Sequence, residues 1–183
     1  LTCKLAQSAM QGLPGTPKLK LSYMPGGIGA VAWHTLASQR RAEPDTLVAF
    51  SSGSLLNLAE GKFGKASADD VRWVAALGAD YGMIAVRADS PYRSLGDLLR
   101  ALKRAPKEVL IGLSGTIGSQ DWMKMALVAQ KAGINPRQLR FVALEGGGEA
   151  FTAMQAGHVQ AVSGASSEAP LYLHPGRDKV RVL

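Results

Sequence analysis

Four times along this chain a short apolar run leads into a turn of glycine and hydroxyl residues and then into a stretch of helical periodicity; this repeated order constrains the fold most. Residues 19–23 run into Pro25, Gly26 and Gly27 and a helix over 30–39. Residues 46–50 run into Ser51, Ser52, Gly53 and Ser54 and a short helix over 55–60. Residues 109–113 run into a turn over 114–118 and a helix over 119–132, and residues 139–144 run into Gly146, Gly147 and Gly148 and a helix over 149–156. Further strands are expected at 73–77, 83–87 and 159–162, and a helix over 95–103 begins at Ser94, with Asp97 in its first turn where the helix dipole favours an acid. A first helix over 1–12 closes at Gly12 and Pro14. Strands alternating with helices through short turns imply α/β layers with parallel sheets, which gather such turns at the strands' carboxyl ends.

The turns share one chemistry. Each offers unpaired backbone N–H groups at a helix start, and glycine lets a ligand come close to them. Helix N-termini carry partial positive charge, so several converging on one spot favour an anion, a carboxylate above all. The candidate ligand-binding residues are therefore Ser51, Ser52, Gly53 and Ser54 in one half, and Ser114, Gly115, Thr116, Ser119, Gly146, Gly147, Gly148 and Ser163 in the other. Glycine, serine and threonine also cap ordinary helices, so a single turn of this kind carries no message.

Composition narrows the partners. The chain has 183 residues, 46% of them hydrophobic, an ordinary globular balance. No apolar run approaches the roughly 18–20 residues that cross a bilayer. The net charge of +7 admits nucleic acid, anionic headgroups or an acidic small ligand. Lys and Arg are scattered and seldom adjoin aromatics, which argues for a solvated basic surface over a nucleic-acid groove. Cys3 is the single cysteine and is expected to pack as a small buried side chain. His34, His158 and His174 stand apart from one another and from Cys3, so no metal site is expected. Asp69 and Asp70, like Glu43 and Asp45, read as solvated or capping acids, and no general acid and base pair can be nominated, so no catalytic residue and no cofactor is expected. Residues 27–32 fit a G-x-G-x-x-A pattern after a strand, but Arg40, Arg41 and Ala42 fall near the place where a second strand ending in an acid is needed for a dinucleotide.

Several segments resemble one family. Pro25, Gly26, Gly27, Ile28 and Gly29 are similar to its glycine-rich segment before a helix, and residues 42–47 to its Pro-Asp-Gly-Tyr-Thr-Leu with two residues missing. Residues 92–98 look like the opening of its second lobe, residues 114–119 like the serine-glycine turn there, and residues 144–150 like its Tyr-Lys-Gly-Gly-Gly-Pro-Ala. Residues 156–159 match its Gly-Gly-Gln-Val except at Ala156 and His158. This is the tripartite tricarboxylate transporter receptor family, the Bug receptors. The resemblance implies a type II periplasmic-binding-protein-like α/β fold of two lobes, each a mainly parallel sheet flanked by helices. It implies a monomeric periplasmic receptor, not an enzyme, that closes on a small carboxylate and delivers it to membrane transporter subunits. The lobes are expected at 1–84 and 85–183, with residues 83–87 crossing between them. Relative to the family the chain starts in the helix after the first strand and stops before the closing elements, so the full-length relative is expected to carry an export signal. Glu145 stands where the family has a basic residue, Ala143 where an aromatic is common and Gln160 where an acid is common. Two other classes fit the residues: a small-molecule enzyme on a doubly wound sheet, which needs a titratable pair in the cleft, and a metabolite-sensing module.

Overall fold

The computed structural model describes residues 2–39, 43–173 and 179–183. Leu1, Arg40, Arg41, Ala42 and His174 lie outside them. The chain divides into two compact units, Leu1–Ala79 and Asp80–Leu183.

The first unit is built from short helices: α1 (Thr2–Met10), α2 (Ala30–His34), which continues into a wider π turn at Thr35–Gln39, and α3 (Ser52–Ala59). Its core is aromatic. Trp33 is fully buried with Leu58 and Phe63, and its ring lies 4.7 Å from Phe50 and 5.8 Å from Trp73 between centroids. The expected strands at 19–23, 46–50 and 73–77 are not formed, and no strand occurs among the described residues of this unit. Apolar alternation records a segment with one packed side; a strand also needs a neighbour to take its N–H and C=O groups, and none of these segments has one. The glycine turn before α2 and the hydroxyl turn before α3 therefore do not stand at strand ends, as a parallel sheet was expected to place them.

The second unit carries the sheet. Its elements are β1 (Gly82–Arg87), α4 (Leu95–Arg104), β2 (Leu110–Ser114), α5 (Gln120–Lys131), β3 (Arg140–Leu144), α6 (Gly147–Gln155), β4 (Ala161–Ala165) and β5 (Val180–Val182). The strand order is β3-β2-β4-β1-β5, with β2 parallel to β3 and β4, and β1 antiparallel to β4 and β5. The sheet is thus half parallel and half antiparallel. Alternation sorts the side chains: Ile84 and Val86 of β1 join Leu98 and Leu102 of α4 and Met125 and Ala129 of α5, whereas Met83 and Ala85 join Phe151 and Met154 of α6. Helices α4 and α5 therefore cover one face and α6 the other.

Local chemistry fixes the helix starts. Ser94 and Asp97 form a reciprocal capping box at α4, each satisfying the other's backbone N–H. Ser119 caps α5 by accepting from Trp122 N at 3.3 Å. Strand β4 begins two residues later than the expected 159–162, because Gln160 acts as a hinge to β2: its N–H donates to the Leu110 carbonyl at 2.9 Å and its side-chain oxygen accepts from Leu110 N at 2.8 Å. Strand β1 lies wholly in the second unit, which begins at Asp80.

Candidate functional site

Parallel strands β3, β2 and β4 end at one edge, and the chain leaves them through residues 115–119, 145–146 and 166–171. From β2 the chain passes to β3 on one side and then returns to β4 on the other. Beyond the carboxyl ends of the strands at such a reversal is the place where open α/β sheets receive ligands. Because β1 runs antiparallel to β4, with Gly82 opposite Ala165, the residues just before β1 reach the same edge. Asp80 there accepts from Ser166 Oγ at 3.1 Å, Ser167 N at 3.2 Å and Ser167 Oγ at 2.6 Å. Burial pushes its carboxyl up, but these donors outweigh it and hold the group below the ordinary carboxylate range.

The expected ligand residues of this unit meet at the edge in different states. Gly115 N donates to Leu144 O at 2.8 Å and ties the two loops together. Thr116 is exposed, while the Ser119 hydroxyl is buried in its capping bond. Ser163 is buried, and its hydroxyl donates to the Asp121 carbonyl at 2.7 Å. Gly146, Gly147 and Gly148 open α6, with Gly147 buried and Gly148 exposed. In the first unit, Ser51 caps α3 by accepting from Ser54 N at 3.1 Å, Gly53 is buried, Ser52 is exposed, and Ser54 Oγ donates to the Ile28 carbonyl at 2.8 Å. That last bond joins the glycine turn of 25–29 to the hydroxyl turn of 51–54. Ile28 holds φ 56°, a left-handed conformation costly for a β-branched residue, between glycines that adopt it freely.

The sequence did not single out the charged groups of this edge. Asp121, in the first turn of α5, accepts from Ser114 N at 3.3 Å and from Lys124 Nζ at 3.1 Å. Lys124 Nζ also reaches the Gly164 carbonyl at 3.2 Å. Burial raises the Asp121 carboxyl above its ordinary value, more than Lys124 and the Ser114 amide lower it. Glu168 is raised too, first by burial and then by the Asp121 charge. Its carboxylate fills the space beside Gly147: a Cβ there would lie 2.0 Å from Oε1 and 2.1 Å from Oε2. Beside it, Tyr172 stacks on Phe151 at 4.3 Å between ring centroids and 8° between planes. Asp121 had only a generic signal, an acid in a first helical turn, and Glu168 had none.

Two open depressions are present, one against β3 and the exit loop of β2 and one in the first unit. One of about 380 Å³ is lined by Leu113, Thr116, Ile117, Leu139, Phe141 and Ala143, and shares only Thr116 with the expected site. The other, of about 370 Å³ in the first unit, is lined by residues that include His34, Lys65 and Asp70. Among the described residues, no three His, Cys, Asp or Glu side chains gather as a metal site, and no helix is long and apolar enough to cross a membrane.

A sheet wound on both faces, with its loops gathered beyond the carboxyl ends of parallel strands, is the architecture of α/β small-molecule-binding proteins. A family model described as the tripartite tricarboxylate transporter family receptor matches residues 25–182, and the chain belongs to that family. The crystal structure of a TctC solute binding protein from Polaromonas is similar at 24% identity and TM-score 0.60, over 98% of this chain and 57% of that one. The periplasmic binding protein BugD is similar at 17% identity and TM-score 0.46, over 55% of this chain and 32% of its own. R. palustris Rpa4515 with adipate is similar at 20% identity and TM-score 0.48, over 56% and 32%. The chain therefore spans between about a third and three fifths of these solved structures. No curated protein matches.

Proposed function

We propose that this chain is part of an extracytoplasmic solute receptor that captures a small carboxylate-type metabolite and passes it to the membrane subunits of a tripartite tricarboxylate transporter. The observation that carries the proposal is the family match over 25–182, which includes every loop residue nominated from Ser51 to Ser163. The proposed lobes are residues 1–84 and 85–183. Within the second unit the proposed contacts are hydroxyls and N–H groups of Ser114, Gly115, Thr116, Ser119, Gly146, Gly147, Gly148 and Ser163; within the first unit, Ser51, Ser52, Gly53 and Ser54 offer the same chemistry. Among these, the exposed Ser52 and Thr116 are the better direct contacts, and buried Ser119 and Ser163 shape the loops.

In this role the protein works as a periplasmic monomer without catalysis or cofactor. Asp121 and Glu168 are a titratable pair, but Asp121 is held by Lys124 and the Ser114 amide, and Glu168 lies over the start of α6, which suits structural use better than proton transfer. The test is a thermal-shift screen with mono-, di- and tricarboxylates and amino acids. A ligand at about 100 times its Kd should add about 2.7 kcal/mol of stability. A folded chain that no member of the panel stabilises contradicts the proposal.

A further inference from the structure

A chain with net charge +7 would be expected to meet an anionic ligand with cations, yet the carboxyl edge of the second unit is acidic. After each of the three parallel strands a carboxylate of the protein itself stands in the exit loop or in the first turn of the helix that follows. Asp121 accepts from Ser114 N after β2, Glu149 Oε2 accepts from Glu145 N after β3 at 2.9 Å, and Glu168 follows β4. Asp80 adds a fourth, and Lys124 is already engaged by Asp121 and the Gly164 carbonyl.

Glu168 occupies the most consequential place. Its carboxylate stands where a side chain on Gly147 would be, over the first turn of α6, and a Cβ on Gly164 would lie 3.5 Å from its Oε2. The free N–H groups and partial positive charge of a helix start attract an anion, and the Glu168 carboxylate, held by a backbone hydrogen bond from Ala165, lies beside that start. A ligand carboxylate brought to the same spot meets Glu168, with Asp121 and Asp80 nearby, and like charges brought together in a half-buried place repel strongly.

We propose that Glu168 sets the charge class of the ligand: it closes the α6 start to a ligand carboxylate, so that the receptor accepts ligands with a single carboxylate whose other end is neutral or cationic, and rejects dicarboxylates and tricarboxylates. This rests on the solute-receptor reading and sharpens it, because the family description alone points to polycarboxylates.

The test uses two probes with the same three methylene groups, glutarate and 4-aminobutyrate, which differ in the second pole only. Their affinities are measured by calorimetry for the wild-type chain, Glu168→Gln and Glu168→Ala, with circular dichroism confirming that each is folded. The wild-type chain should prefer 4-aminobutyrate by at least about tenfold, and both variants should narrow that ratio to within about threefold by gaining affinity for glutarate. Glutarate bound by the wild type as well as 4-aminobutyrate, or a ratio unchanged in both variants, overturns the inference and leaves the receptor reading standing. Binding of neither probe by any of the three proteins also overturns it, and the wider carboxylate screen then decides separately whether the receptor reading survives.

Discussion

Asp121 and Lys124 illustrate how a polar edge is held together at the residue scale. Their side chains are 13% and 19% exposed, so each has given up most of its hydration and depends on the other. Lys124→Met would leave the Asp121 carboxylate facing Asp80 and Glu168 without its cation. Equilibrium denaturation should show a loss of about 3 kcal/mol, and a loss below about 0.5 kcal/mol would mean that water replaces the ammonium without cost. Glu168 makes a prediction about pH. Its carboxyl is raised in the folded protein above the ordinary 4.5, so the folded state binds the proton more readily than the unfolded chain. Stability therefore falls as pH rises from about 4.5 through the raised value, and Asp121 acts in the same direction from its ordinary 3.8, whereas lowered Asp80 acts oppositely. Glu168→Gln should flatten the fall above pH 4.5, measured as melting temperature against pH; an unchanged profile would show that Glu168 is not its source.

At the scale of elements, the start of α5 separates capping from binding. Ser119 is buried with its oxygen on Trp122 N, and Thr116 is exposed three residues earlier. Ser119→Ala should lower stability by about 1 kcal/mol and leave ligand affinity unchanged, while Thr116→Val should weaken affinity about tenfold with stability unchanged. The opposite pattern would exchange their roles. These elements were also the legible ones. Caps at Ser94 and Ser119, the short apolar runs of β1 and β2, and the glycines before α6 are local signals. The direction of β1 was not legible, since Gly82–Arg87 has the same apolar run whether its neighbour runs parallel or antiparallel. The strands expected at 19–23, 46–50 and 73–77 failed for a related reason: pairing belongs to the partner as much as to the segment. Glu168 was invisible because the groups beside its carboxylate, Gly147 at the start of α6 and Asp121 on α5, are far from it in sequence.

At the scale of the whole molecule, the family match runs over residues 25–182 and the second unit carries a sheet with helices on both faces, the two observations behind the proposed capture of a small solute. Binding energy at such a site comes from hydroxyls, N–H groups and excluded water, with little need for a matched cation. The four turns were readable as a set, but their surroundings were not: the edge of the second unit that offers helix starts also carries Asp80, Asp121 and Glu168. The most direct measurement is a calorimetric titration of the folded chain with the best carboxylate from the screen. Saturable binding at one ligand per chain, with the melting temperature rising as ligand concentration rises, is the expected result. A chain that circular dichroism shows to be folded, and that binds no carboxylate up to roughly 10 mM, a level where even a millimolar Kd would be evident, would contradict the account.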